Sequence, residues 1–525
     1  MAADLPPSTP DAAPVAAVTA PAPAAATPVY VDANGYRYAV NGNTLLSPEA
    51  IEAALRNAPG PKEAVDALDQ AYRQAGYLLV VVGGQVNNKL VAIQVLQGRI
   101  SEFEAAPEIA PYVRRLVGRD DLTRNVLLRD TSMMDLYLAR DGMRPKASFG
   151  KAEQVGGTKL TVTQEPIEGA KPWNASLAFG NLGSRYSSRY TAAGAGSVRP
   201  GGGLELSATY MQGLPGLSSD SSGASYRATA LGGSLVTPWG LYGANYSYTQ
   251  YRIGEVQAPL YPAGEIESGG ITGTQLVYAD ESSRLSLNQA VTWYSNTQFV
   301  YDDPDPSHGF VIVDQNYGAV SLGASYNRSV VVAGQNAAVA AGLTAMKGFS
   351  PRFGSFLPEG PGVPNPKFWL VQANVAMNVA LPAGFAAGVT ISGQGTDETL
   401  PQSQQWVLGG YGNLSAWLPA VLIGDSGALA RATVTSRGYA WGEFSFSAGA
   451  FAEGGFARFS QRAVTDPSSR ALADAGLSVT GTTTKGTNLT LAYAWPVWYR
   501  NVDGVAREAV DRSRANLYFT LNQAF

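Results

Sequence analysis

The larger part of this chain alternates. From Trp173 onward helical periodicity disappears, and runs of roughly ten residues follow one another, apolar at every second position and small or polar between. In "LYGANYSYTQY", Tyr242, Ala244, Tyr246 and Tyr248 share one face, while Gly243, Asn245, Ser247 and Thr249 share the other. In "RLSLNQAVTW", Leu285, Leu287, Val291 and Trp293 oppose Ser286, Asn288 and Thr292; the last run sets Leu517, Phe519, Leu521 and Phe525 against Asn516, Tyr518, Thr520 and Asn522.

A soluble sandwich also alternates. Here one face is Gly, Ser, Thr and Asn, and a sandwich core of such residues would bury many unpaired polar groups. Aromatic residues gather near strand ends, and short turns ("RPGGG", "TPWG", "ADESS", "LPAG") alternate with long ones. These features point to a membrane β-barrel of about 16 antiparallel strands, one face to lipid and one to water; an even number closes with no edge exposed.

No apolar run approaches the ~20 residues that a membrane-spanning helix needs. With no Cys, disulfides, thiolate metal sites and thiol nucleophiles are excluded. A net charge of -4 without a basic run speaks against a nucleic-acid partner. The opening, "MAADLPPSTPDAAPVAAVTAPAPAAATPVY", has neither the basic start nor the continuous apolar core of a secretory signal. Its repeated prolines forbid a stable helix, so residues 1–29 read as a flexible tether.

Between tether and barrel lie two small α+β domains, expected over residues 30–104 and 105–168. In the first, the strand "YRYAV" leads to a helix with Ser47 as N-cap and Pro48 in its first turn. A second helix carries Val65, Leu68, Ala71 and Tyr72 on one face and is capped by Gly76; "YLLVVVGG" and "KLVAIQVLQG" follow as strands. The second domain repeats this order: "ISEFE", helices near residues 110–117 and 129–140, then "KASFGKAE" and "TKLTVTQE". The barrel is expected over 172–525.

The stretch "LGGYGNLSAWLPAVLIGDSG", residues 408–427, poses the functional question. It lacks the spacing and strand-to-helix setting of a phosphate loop. Gly-Asp-Ser-Gly also surrounds the serine of trypsin-like proteases, but such a serine needs a histidine base, and the one histidine, His308, falls in the loop "YDDPDPSHGF". His308 reads as a solvated residue; Asp302, Asp303 and Asp305 beside it suggest at most weak cation binding. No enzyme, cofactor or metal site is expected.

In "NGNTLLSPEAIEAAL", "YRQAGYLL" and "VLQGRI", in "DTSMMDLYLARDG" with "TKLTVTQEP", and in a barrel running from "WNASLAFGNLGSRYSSRY" to "ANLYFTLNQAF", the chain resembles the outer-membrane transporters of two-partner secretion (TpsB proteins). These share a superfamily with the barrel-assembly factors. The resemblance covers nearly everything after residue 35 and implies two POTRA domains in the periplasm of a Gram-negative bacterium. It further implies a monomeric barrel in outer-membrane lipid and, as partner, a secreted exoprotein passed through the barrel unfolded. Phe525 resembles the terminal aromatic by which barrel-assembly machinery recognises such chains.

In that family the long loop before the twelfth strand folds into the barrel with a motif LGG-x-x-x-V-R-G-Y followed by GD-x-G. Leu408, Gly409, Gly410, Gly424, Asp425 and Gly427 match it, placing the inward-folded loop at 396–426. Leu414, Ser415, Ala416 and Trp417 occupy the VRGY positions, with Ser415 in place of the arginine. The acidic partner expected on the thirteenth strand, in F-x-D-x-G, reads here as Phe451, Glu453 and Gly455, which parity turns inward, opposite Phe444, Phe446, Ala448 and Ala450. Arg431 on the neighbouring strand also points inward, so a Glu453–Arg431 pair is expected, with the loop held by Trp417 packing and glycine backbone contacts. The literal "RGY" at 437–439 falls in a short turn on the wrong side. The alternatives are an insertase acting through a seam between first and last strands, or a passive solute channel.

Overall fold

A computed structural model of the protein describes residues 27–119, 122–154, 157–184, 186–218, 223–254, 261–301, 309–350, 355–357, 363–461 and 467–525. Most of the expected tether, and His308 with Asp302, Asp303 and Asp305, lie outside the described residues. The chain up to Arg99, with 119–123 and 152–158, forms one compact unit, and the remainder forms a second.

The first unit holds β1 (Val29–Ala33), β2 (Tyr36–Asn41), α1 (Pro48–Arg56), α2 (Pro61–Gln74), β3 (Val80–Asn87) and β4 (Leu90–Gln97) in a sheet of order β1-β2-β4-β3. The tether therefore stops short of its expected end. Val29 already pairs with Val40, and Val31 is buried, because the prolines that bar regular pairing end at Pro28. The Ser47 hydroxyl accepts from the Ala50 N–H at 3.3 Å, and Gly76 takes the left-handed backbone (φ +89°) that ends α2. Ile51, Leu55, Leu68 and Tyr72 pack on Tyr38, Val91, Ile93 and Val95.

The second domain consists of β5 (Arg99–Ala105), α3 (Ala110–Val113), α4 (Arg124–Arg140), β6 (Met143–Lys151) and β7 (Gly157–Pro166), with sheet order β5-β7-β6. α4 starts five residues before its expected onset at Arg129. Inside the helix, Thr131 and Ser132 donate their hydroxyls back to the carbonyls of Leu127 and Leu128. Within the second unit α4 is seated on the barrel's turns. The Arg140 guanidinium donates to the Gly203 and Ser234 carbonyls and to Ser234 Oγ, each at 2.8 Å, and Arg124 pairs with Glu281 at 2.8 Å.

Sixteen antiparallel strands close the barrel, with two short accessory strands. In chain order these are β8 (Trp173–Gly180), β9 (Thr191–Gly201), β10 (Leu204–Gly213), β11 (Ser225–Thr237), β12 (Gly240–Arg252), β13 (Tyr261–Ala279), β14 (Ser283–Tyr301), β15 (Phe310–Val332) and β16 (Gln335–Phe349). Then come β17 (Phe356–Leu357, accessory), β18 (Trp369–Ala380), β19 (Ala386–Gly395), a separate hairpin of β20 (Trp406–Leu408) and β21 (Leu422–Gly424), and β22 (Ser426–Thr435). β23 (Tyr439–Trp441, accessory), β24 (Phe444–Arg458), β25 (Arg470–Thr483), β26 (Thr487–Arg500), helix α5 (Val505–Arg512) and β27 (Leu517–Ala524) complete the chain, and β27 pairs with β8.

The period-two pattern explains the closure. Leu177, Leu231, Tyr246, Ile271, Leu322, Ile391, Leu477 and Leu521 face outward and are exposed, a continuous apolar band that suits hydrocarbon. Their neighbours Asn245, Ser247, Thr272, Asn288, Gly323 and Asn374 turn to the inside, where Ser247 stands opposite Ser268 and Asn288 opposite Gly323. No helix among the described residues is long and apolar enough to cross a membrane.

Candidate functional site: a loop folded into the barrel

β19 and β22 are the eleventh and twelfth barrel strands, and the chain between them, residues 396–425, turns into the lumen. Its base and its tip are held by different chemistry.

At the base, the Asp425 carboxylate is fully buried and accepts two backbone N–H groups, from Leu400 at 2.9 Å and Ser460 at 2.8 Å. Ser426 Oγ donates to the Thr396 carbonyl (2.9 Å) and accepts from the Thr396 N–H (3.0 Å). Gln394 donates to the carbonyls of Gln404 and Asp425. Side chains are excluded where the chains cross: a Cβ on Gly424 would lie 2.5 Å from the Arg458 carbonyl oxygen, and one on Gly427 would lie 2.2 Å from the Trp406 ring. The Gly-Asp-Ser-Gly stretch is thus a structural knot, in which Ser426 is bonded to backbone and not to a general base.

At the tip, Leu414, Ser415, Ala416, Trp417 and Leu418 are all buried. The turn needs left-handed backbone at Gly409 (φ +115°), Gly410 (φ +96°) and Gly412 (φ +82°), and forces Leu414 to φ +69°, a region costly for a side chain with Cβ. Gly409 donates to Asn413 O and Gly410 to Trp417 O, so these two glycines shape the loop internally. Ser415 Oγ is likewise spent inside the turn, accepting from the Gly412 N–H at 2.9 Å.

The wall meets the tip through carboxylates. Glu453 lies directly opposite Arg431 in the β22–β24 register, and Arg431 Nη1 stands 2.7 Å from Glu453 Oε1. Glu453 Oε2 accepts the Ser415 N–H at 2.6 Å. Asp474, opposite Glu453 on β25, accepts the Ala416 N–H at 2.6 Å. Two adjacent backbone N–H groups are therefore received by two adjacent carboxylates, in the part of the loop where the family motif has its arginine. Arg431 also stacks between Phe451 (4.9 Å) and Tyr411 (5.5 Å), so it touches wall and loop at once. Gly455 clears room for Leu408, which lies 3.0 Å from where a Cβ would be.

A third contact comes from the segment between β26 and β27. Leu418 N–H donates to Ser513 O at 2.7 Å and Ala515 N–H to Ala416 O at 3.1 Å, a short bridge at the C-terminal end of α5. Tyr518 donates its hydroxyl to Trp417 O at 2.8 Å, and the Trp417 ring stands edge-on to Tyr499 at 5.7 Å. A cavity of about 610 Å³ lies between Tyr411 and Pro419 of the loop and Thr191, Ala193, Met211 and Tyr226 on β9, β10 and β11. Phe525 ends the chain exposed, its N–H donating to Ala175 O at 2.9 Å.

Of the sequence-derived residues, Leu408, Gly409, Gly410, Leu414, Ser415, Ala416 and Trp417 lie in the loop, Gly424, Asp425 and Gly427 at its base, Arg431, Phe451, Glu453 and Gly455 on the wall beside it, and Phe525 apart from it. Sequence reasoning missed Asp474, Tyr518 and the α5 segment. Parity could have found Asp474, a charge two residues from inward-facing Leu472 in "RALADAGLSV"; nothing local marks the α5 contacts. Among the described residues no group of three or more His, Cys, Asp or Glu converges as metal ligands would.

No curated protein sequence matches the chain. Among solved structures the fold is similar to CdiB from Escherichia coli, with TM-score 0.73 and 16% identity, covering 98% of this chain and 93% of that one. It is similar also to CdiB from Acinetobacter baumannii, with TM-score 0.67 and 13% identity, covering 88% and 81%. Residues 156–479 match the family described as haemolysin secretion/activation protein ShlB/FhaC/HecB. With this match over more than half its length, the chain belongs to the ShlB/FhaC/HecB family, the outer-membrane β-barrel transporters of two-partner secretion.

Proposed function

We propose that the two N-terminal domains capture an unfolded exoprotein in the periplasm and that it leaves through the barrel lumen when the tip of the 396–425 loop withdraws from its wall. The observation that carries this reading is the mode of attachment at the tip. Two backbone N–H groups bonded to wall carboxylates, and a few contacts to the α5–β27 segment, hold an element that fills part of the lumen, while its base is knotted in place. Such an arrangement lets the tip move without unravelling the barrel, and the cavity beside Tyr411 widens as it does. In this reading Arg431 supplies from the wall the cation that Ser415 does not bring from the loop, and Glu453 and Asp474 are its partners in positioning the tip. With no phosphate-loop motif in the sequence, directional export draws in this reading on the cargo folding outside. The protein acts as a monomer in outer-membrane lipid, and Phe525 serves barrel assembly.

Exporting cells test it. With cysteines at Tyr411 and Phe451, whose rings stand 6.3 Å apart, a short bis-maleimide fixes the loop to the wall. Export of the co-expressed exoprotein stops on cross-linking and persists in the uncross-linked double variant. Export that continues with the loop fixed in place sinks the lumenal route.

The seam between first and last strands is the observation that an insertase reading would use. It spans only five register pairs, from Thr520 with Gly180 to Ala524 with Ser176, while β13 and β14 pair over eighteen.

A further inference from the structure

The short seam is clasped beyond its last strand pair by one side chain. β8 ends at Gly180, and the chain then turns away, with Gly183 N–H donating to Arg189 O. With the ladder ended there, Phe519 N–H and Leu517 O on β27 would face nothing from β8. Asn181 fills both roles. Its backbone N–H donates to Phe519 O at 3.2 Å, its Oδ1 accepts from Phe519 N–H at 2.7 Å, and its Nδ2 donates to Leu517 O at 2.9 Å. The carboxamide turns one N–H and its carbonyl oxygen to β27 as a peptide group would, so this side chain acts as a further residue of strand β8. It is 4% exposed, and a buried amide with both functions satisfied holds one rotamer. Phe179 and Tyr190 pack against Phe519 at 5.5 and 6.2 Å and shield the clasp.

Between the two clasped residues sits Tyr518. Strand alternation turns its side chain into the lumen, where its hydroxyl holds Trp417 O. We infer that Asn181 is a positioning residue: by fixing the Leu517–Phe519 backbone to the first strand it fixes the Tyr518 anchor of the inward-folded loop, so that seam closure and loop retention are one device. The coupling to export rests on the lumenal reading above; the clasp itself does not.

The experiment uses the full chain in detergent or outer-membrane vesicles, comparing wild type with Asn181→Asp, which keeps an acceptor but loses the donor, and with Asn181→Ala, which loses both. Backbone hydrogen exchange of residues 517–521 is expected to rise in the order wild type, Asp, Ala, at least about tenfold in the last, while β13 and β14 stay unchanged. Single-channel openings in planar bilayers become more frequent in the same order. An unchanged rate at 517–521, or a uniform rise over the barrel, overturns the clasp; faster exchange at the seam with unaltered openings overturns its coupling to the loop. Should Asn181→Ala fail to assemble, the graded response is read from Asn181→Asp and Asn181→Ser. In this cysteine-free chain a Ser176→Cys/Ala524→Cys disulfide across the register pair separates the two readings. If oxidation of that pair abolishes export, traffic crosses the seam and the lumenal reading fails, whereas the exchange data still judge the clasp.

Discussion

The two ends of the lumenal loop are both buried and both bonded by acidic side chains, yet they are built for different ends. At the base, Asp425 and Ser426 bond only backbone groups of neighbouring segments, and Gly424 and Gly427 let chains cross closer than any side chain would permit. Nothing there can be exchanged without steric cost. At the tip wall carboxylates accept two loop N–H groups, the α5–β27 segment and Tyr518 bond the Ala416, Trp417 and Leu418 backbone, and Leu414 is held in a backbone region it does not favour. Such contacts are strong while made, and each can be replaced by water once the tip leaves. A knotted base with a releasable tip is what a movable constriction requires.

The sharpest way to break this contrast is at the base. Asp425→Ala strands two buried N–H donors, at about 1–3 kcal/mol each. It is expected to lower markedly the temperature at which the heat-modifiable folded band disappears on gels; a variant as heat-stable as wild type would show that the base is not a knot. At the tip, Glu453→Ala leaves Arg431 and the Ser415 N–H without their acceptor, a loss of about 3–5 kcal/mol of the kind seen when one partner of a buried pair is removed. Here the barrel keeps its folded band, while bilayer recordings change from small flickering currents to larger, steadier ones.

Arg431→Ala comes next. It leaves Glu453 buried without its cation and removes the stack on Tyr411 and Phe451, and the loop is expected to shift, read as protease accessibility of the 408–420 segment. An unaltered loop and barrel would count against the relocated cation. Ser415→Ala is the mildest change. The N–H to Glu453 survives and only the Gly412 N–H loses its acceptor, about 1 kcal/mol, with conductance near that of wild type. A large effect there would mean that the hydroxyl, and not the backbone, holds the tip.

Much of this was legible in the chain itself, because a strand's two faces are set residue by residue. Parity alone turned Arg431, Phe451, Glu453 and Gly455 inward, and counting strands placed 396–426 between the eleventh and twelfth. That Arg431 and Glu453 stand directly opposite came from the strand register, since parity says which face a side chain takes and not which residue faces it. The first strand, β1, hid behind a proline-rich run, and α4 began at Arg124, ahead of its expected onset at Arg129.

What the sequence by itself determined is therefore the local part: a period of two over about sixteen segments, hence a closed barrel in lipid, two small α+β domains before it, and a glycine-rich loop too irregular to be a strand. Tertiary structure alone decided which groups meet. Asp474 beside Glu453, backbone N–H groups in place of an arginine side chain, the Ala416–Ala515 bridge and the Asn181 clasp all join residues distant in the chain. Their pairing depends on strand register and on the path of a loop, and no pattern along a single strand encodes either.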